Sequence, residues 1–391
     1  MRMMIDVRSA LELIEGCNIT TPTCEEVFIS DTIGRTACEN IVSPVDFPAF
    51  TRSAMDGYAL VGSANSTQFA LVNSASELKD GTCIRVNTGF PIPKHAFAVV
   101  ELEKTTLKNG IVILEKPVEK KRNFTEKASE IRKGEILIEK GTLIDEKLRS
   151  LLAYVGLSSV KVFRKPVVGI VTTGDEVVFP GKSTEENVVY NCNYFILEGL
   201  LKKWGAQPVY FGHIPDEKEI FVKTVKNAIE RCDFLITTGG VSKGSRDYTR
   251  EVLKTIGCEF IFENTTIKPG KPALLAKLGD KYIFGAPGWP SALYTVAVVY
   301  VKPLTLRFCG NREYKHRFNT GVLKHDMHAN KKKDYFNRVI VTMENGTYML
   351  ESSGSQKTDT FLSVARASGL VWIEKGKGDV PAGSKLPFIF I

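Results

Sequence analysis

The feature that most constrains this chain is the alternation between residues 164 and 308. A continuous apolar run at 166–174 ends on Gly174, and an apolar-periodic stretch at 193–205 follows, closed by Gly205 as a helix cap. Strand and helix signals then alternate through 208–214, 218–232, 233–240 and 247–257. Two further strands at 272–278 and 281–288 precede a last apolar helix at 291–304. Such a pattern predicts a doubly wound α/β domain, a parallel sheet with helices on both faces. Ligands of such sheets bind in the loops at the carboxyl ends of the strands.

The rest of the chain has a different texture. Short period-2 runs separated by Gly, Pro, Asn and Asp fill 69–118, including FALVNSA, CIRVNTG, AVVELEK and IVILEKPV, and predict a β-rich insertion. The expected organisation is multi-domain α/β plus β. Residues 1–42 and 137–163 form a discontinuous first domain of helix and strand, and 43–136 form the β-rich insertion. The α/β domain spans 164–308, and a small C-terminal β domain spans 309–391.

Composition enters mainly by exclusion. No stretch approaches the roughly 18 uninterrupted apolar residues of a membrane span. Asp6, Arg8, Glu12 and Glu15 interrupt the first apolar residues and make them an amphipathic helix rather than a signal peptide. The eight cysteines contain no CxxC pair and read as reduced thiols of a cytoplasmic protein. A balance of 52 basic to 44 acidic residues, net +8, suits anionic substrates. The one short basic run, 331–336, lacks the length and interleaved aromatics of a nucleic-acid surface. His325 and His328, in HDMH, read as surface residues rather than as a metal site.

The predicted strand ends carry the chemistry. The strand at 166–174 runs into Asp175 and Glu176, the strand at 208–214 into Asp216, and the strand at 233–240 into the turn containing Gly239, Gly240 and Ser242. Asp247 opens the next helix, and the last strand runs into Pro287-Gly288-Trp289-Pro290. Glycine turns at helix N-termini let backbone N–H groups approach phosphate. Converging carboxylates suit a hard cation, and Mg²⁺ held by one or two carboxylates and substrate oxygens is the natural occupant. Lys268 and Lys271, in IKPGKP, add positive charge. Taken singly, Asp175 and Asp247 also read as helix caps, IKPGKP as a turn and Asp216 as a solvated residue. Their shared place at one sheet edge is what favours a site for a phosphorylated ligand with Mg²⁺. The turn at 239–244 lacks the Lys-Ser/Thr that completes a P-loop, and GxGxxG and HExxH are absent.

These segments, with SAMDGYA at 53–59, NTGFPIP at 87–93 and AVVELE at 98–103, stand in the order found in the MoeA-type molybdopterin molybdenumtransferases, which the chain resembles over nearly its whole length. The C-terminal domain of gephyrin is the animal counterpart of that family. The resemblance implies a homodimer of four-domain subunits whose α/β domain is similar to molybdopterin adenylyltransferases. It also implies the reaction: molybdenum from molybdate is inserted into adenylylated molybdopterin with Mg²⁺-dependent hydrolysis and release of AMP. Molybdopterin adenylyltransferase and apo-molybdoenzymes are the implied protein partners. On this resemblance Asp56, Thr88, Glu176, Asp216, Asp247 and Lys271 are the catalytic candidates. Asp56, Glu176, Asp216 and Asp247 are the metal candidates, and Gly239, Gly240, Ser242, Lys268, Lys271, Pro287 and Pro290 hold the pterin nucleotide.

Three departures from the family pattern are visible. Trp289 replaces the asparagine of PGNPVS, Lys243 enters the glycine turn, and Ile136 follows Glu135 where the family carries a second acid. Other expectations compatible with the sequence are a carrier or scaffold that binds molybdopterin without turnover, an adenylyltransferase, and a tungstate-using variant.

Overall fold

The computed structural model describes residues 4–181, 188–239 and 248–391. Its central sheet comprises β1 (Val167–Thr173), β2 (Gln207–Ile214), β3 (Phe234–Thr238), β4 (Glu259–Glu263), β5 (Leu274–Leu278) and β6 (Lys281–Ala286), in the order β2-β1-β3-β6-β5-β4. The first four strands in that order run parallel, with Thr173 beside Ile214 and Thr238 beside Ala286 at their carboxyl ends. The far edge departs from the all-parallel expectation, because β5 is antiparallel to β6 and β4 to β5. The reason is local: Leu278 pairs with Lys281 across the two-residue turn Gly279-Asp280, and so short a link joins only antiparallel neighbours.

Both faces of the sheet are covered, which accounts for its continuous apolar strands. Val168, Ile170, Phe234, Ile236 and Phe284 pack into one core cluster, with Leu197 and Leu201 of α1 (Cys192–Lys203). Val171, Leu235 and Ile283 face the other way, onto Phe221 and Val225 of α2 (Lys218–Glu230). The N-terminal helix Val7–Glu15 buries Val7, Ala10 and Ile14 in the first of these clusters. The last helix of the domain begins at Pro290, passes through a π turn at Ala297–Val301 and ends at Phe308.

Outside this domain, Cys24–Phe28 pairs with Ser159–Phe163, and Ile41–Val42 with Ile136–Ile138. Ala37, Ile41, Ile138, Ile144, Leu152 and Val162 fill the space between them. Cys24 and Cys38, expected as free thiols, form a disulfide with their Cα atoms 5.9 Å apart. Both residues run beside the strand Ser159–Phe163, Cys24 opposite Phe163 and Cys38 bonded to the Lys161 carbonyl, so pairing brings them together. The other six cysteines are free.

The insertion carries a six-stranded sheet with Gly57–Val61 between Ala96–Glu101 and Thr82–Val86. In the C-terminal domain, Asp334–Glu344 pairs with both Thr347–Ser352 and Gly369–Ile373, which closes the sheet on itself. Ile267–Lys268 adds to that sheet in parallel, opposite Asp334 and Tyr335, and ties the two domains together.

Candidate active site

The carboxyl ends of the parallel strands open onto a cavity of about 460 Å³. Thr172, Thr173 and Glu176 line it from the end of β1, and Asp216 from beyond β2. Thr238 and Gly239 enter from β3, and Pro287, Gly288, Trp289 and Pro290 from beyond β6. This size is typical of a site for a small organic ligand.

Backbone chemistry fixes these loops. Gly239 has φ +92°, and a Cβ there would stand 2.4 Å from Thr173 Oγ1 and 2.9 Å from the Thr173 carbonyl oxygen, so only glycine fits. The Asp216 N–H donates to Asp175 Oδ1 at 2.9 Å and ties the loop after β2 to the loop after β1. Pro290 takes the first helical position, where its missing N–H costs nothing, and Trp289 is the N-cap residue. The indole therefore stands at the cavity mouth, 60% exposed. Asn193 donates Nδ2 to the Gly288 carbonyl at 2.7 Å, while its Oδ1 is buried without a partner among the described residues.

A second cavity, of about 860 Å³, adjoins the first. Trp289 and Asp359 line both. Lys268 and Pro269 contribute one wall of it. The C-terminal domain contributes the rest, including Met327, Tyr335, Asn337, Ser355 and Gln356. Lys268 Nζ lies 4.9 Å from the centre of the Tyr335 ring, a cation–π contact that holds the ammonium at the wall. Behind that wall Arg338 is fully buried. Its Nη2 donates to the carbonyls of Ser355 at 2.9 Å and Lys357 at 3.2 Å, while Nε and Nη1 have no partner among the described residues. No carboxylate among the described residues pairs with this guanidinium, and burial pushes its pKa down.

The sequence-predicted residues thus fall into groups. Glu176, Asp216, Gly239, Pro287 and Pro290 share the first cavity, and Lys268 lines the second. Lys271, three residues on, is exposed and lines neither. Asp56 and Thr88 meet one another in the insertion domain. The Thr88 N–H and hydroxyl donate to Asp56 Oδ1 at 2.6 and 3.0 Å, and these bonds hold the carboxyl below its usual pKa. Both residues are exposed and line neither cavity. Gly240, Ser242 and Asp247, with Lys243, lie outside the described residues. Among the described residues no three His, Cys, Asp or Glu side chains cluster as metal ligands. His325 and His328 stand at the surface beside Glu351 and Asp379. Sequence reading missed Asn193, Arg338 and Asp359. Asn193 is the second residue of a helix that otherwise reads as apolar, and Arg338 is one cation within a strand.

Comparison with known proteins covers the same architecture end to end. Three family models match in succession: the MoeA N-terminal region (domain I and II) at 5–156, a probable molybdopterin binding domain at 169–307, and the MoeA C-terminal region (domain IV) at 320–391. The molybdopterin molybdenumtransferase of Bacillus subtilis (strain 168) is 30% identical over 385 residues, covering 94% of this chain and 90% of that one. That of Haemophilus influenzae is 29% identical over 384 residues, 95% of each. A crystal structure of a molybdopterin biosynthesis moeA protein from Pyrococcus horikosii superimposes with a TM-score of 0.83 at 28% identity, covering 99% of both chains. With the strand-end cavity and the closed C-terminal sheet in place, the chain belongs to the MoeA family of molybdopterin molybdenumtransferases and is a transferase.

Proposed function

We propose that this chain inserts molybdenum from molybdate into adenylylated molybdopterin, with cleavage of the phosphoanhydride and release of AMP. The observation that carries this reading is the pair of cavities meeting at Trp289. One is walled by Glu176 and Asp216 at the strand ends, and the other has a lysine and, on its far side, a buried arginine that pairs with no carboxylate among the described residues. An elongated ligand with heteroaromatic groups and a pyrophosphate between them matches that shape. The indole offers a stacking face, and Asn193 Oδ1 offers an acceptor for a ring amino group. Gly239 keeps the backbone close to the phosphate path, and Pro287 and Pro290 hold the wall rigid.

The donor set fits Mg²⁺. Glu176 and Asp216 present hard carboxylate oxygens, and Mg²⁺ takes one or two of these with phosphate oxygens and water. Bound there, it neutralises the pyrophosphate and polarises phosphorus. Asp247, outside the described residues, is expected to join them. At the other end Lys268 and the Arg338 charge favour an oxyanion, which assigns molybdate to the second cavity, with Lys271 steering charge from outside.

The same reading places Asp56 and Thr88 in the cleft of a second copy. They are hydrogen-bonded to one another and exposed, with the Asp56 carboxyl held ionised, yet they line neither cavity of their own chain, as suits residues acting across a homodimer. It also makes the protein a cytoplasmic enzyme supplying apo-molybdoenzymes.

The test is a purified assay with adenylylated molybdopterin, Mg²⁺ and either molybdate or tungstate, following AMP. Metal-dependent AMP release is expected, and the preferred oxyanion names the metal. Tight binding without AMP would replace the enzyme by a carrier, and consumption of ATP would replace it by an adenylyltransferase. Mixing Asp56→Ala with Glu176→Ala protein tests the dimer. Each is expected to be inactive alone, and the mixture to recover roughly a quarter of wild-type activity, because half the dimers carry one intact site. No recovery would place Asp56 outside the partner's cleft.

A further inference from the structure

A bulge in β2 gathers three polar side chains onto one threonine. Ile170 pairs with Tyr210, but Thr172 pairs with His213, so β2 carries one extra residue where β1 has only Val171 between them. Gly212, at φ +109°, takes up the turn. Residues three apart on a regular strand point to opposite faces. The bulge cancels that alternation, and both Tyr210 and His213 reach Thr172 Oγ1, at 2.8 and 3.1 Å. Asn191, 2% exposed, donates Nδ2 to Thr172 Oγ1 at 2.8 Å and to the Tyr210 hydroxyl at 3.1 Å. On its other side His213 Nε2 lies 2.8 Å from the Gly174 carbonyl oxygen.

The proton positions follow from valence. A carbonyl only accepts, so His213 Nε2 carries the hydrogen and Nδ1 of the neutral ring is an acceptor. Thr172 then donates its hydroxyl to Nδ1 and accepts from Asn191 and Tyr210. Every donor in the set is satisfied in this one tautomer. The bond from Nε2 lands on the residue that begins the acidic loop, two positions before Glu176.

Resting on the function proposed above, we propose that His213 is a positioning residue: through its Nε2–H bond to Gly174 it fixes the loop that presents Glu176 to the cavity. The charged groups on the adjoining loops are Asp175 and Glu176 after β1 and Asp216 after β2, and the Tyr194 ring packs against Tyr210 with centroids 4.4 Å apart.

Two measurements test it. Nitrogen-15 spectra of histidine-labelled protein, with the His213 signals identified by their loss in His213→Phe or in His213→Gln, are expected to show the Nε2–H tautomer of the neutral ring. The Nδ1–H tautomer would overturn the proposal whatever the substrate is. In the AMP assay His213→Phe is expected to lower kcat by about tenfold to a hundredfold with KM changed less than about threefold. His213→Gln, whose amide N–H reaches the Gly174 carbonyl, is expected to restore most of it. An unchanged kcat in His213→Phe, or equal loss in both variants at equal melting temperature, would overturn the proposal. If wild type itself releases no AMP, it is the function that fails, and the tautomer alone decides the positioning bond.

Discussion

The α/β domain and the C-terminal β domain build the candidate site by opposite means. In the first, the site is made of loops at the ends of buried strands, where glycine, proline and carboxylate stand exposed because the architecture leaves those ends open. In the second, the contribution comes from within a closed sheet. Arg338 is buried in a strand, holds the Ser355–Lys357 loop by its carbonyls and projects charge toward a cavity that it does not itself line. The first arrangement binds by contact and tolerates surface change poorly. In the proposed function the second works by field and loop placement, and would couple binding to domain stability.

That contrast predicts a graded set of effects. The largest is Glu176→Ala. It is expected to lower AMP release by about 10²-fold or more, with the melting temperature unchanged, because the carboxylate is exposed. Arg338→Met comes next. It exchanges two carbonyl contacts for an apolar side chain, and is expected to raise the molybdate concentration needed for half-maximal rate by about tenfold, since a buried charge near an anion is weakly screened. Trp289→Ala, at the junction of the two cavities, is expected to raise KM for the pterin nucleotide by about three- to tenfold, the worth of one stacking surface. An unchanged KM would remove the indole from the ligand path.

The smallest effect lies outside both regions and serves as a control. Burial alone would raise the Glu101 carboxyl, but hydrogen bonds from Arg122 and Lys104 outweigh it and hold the pKa at about 2, against 4.5 unperturbed. A carboxyl depressed by folding contributes stability above its unfolded pKa, and that contribution is lost as pH falls through the folded value. Urea midpoints are expected to fall between pH 4.5 and 2 in wild type and to fall less in Glu101→Gln. AMP release near neutral pH is expected to be the same for both.

How much of this the sequence carried follows the same division. TTGDE, Asp216 and PGWP were legible because strand-end loops are written in residue types, Gly, Pro and acid, whose meaning depends on neighbours in sequence. The antiparallel edge was missed, although the two-residue Gly279-Asp280 turn that dictates it is local in sequence. Arg338 was not legible, because its role depends on which carbonyls surround it after the sheet closes. Nor was the His213 network, since only register reveals that a one-residue bulge turns Tyr210 and His213 to the same face. The Cys24–Cys38 bond likewise depends on pairing with a strand more than a hundred residues away.

The most direct test of the account is a molybdate titration of AMP release in wild type, Glu176→Ala and Arg338→Met side by side. The account predicts that Glu176→Ala depresses the rate at every molybdate concentration, while Arg338→Met shifts the half-maximal concentration upward and keeps most of the saturating rate. If Arg338→Met lost the saturating rate without a shift, or Glu176→Ala recovered at high molybdate, the assignment of phosphate chemistry to the strand ends and of the oxyanion to the C-terminal side would be contradicted.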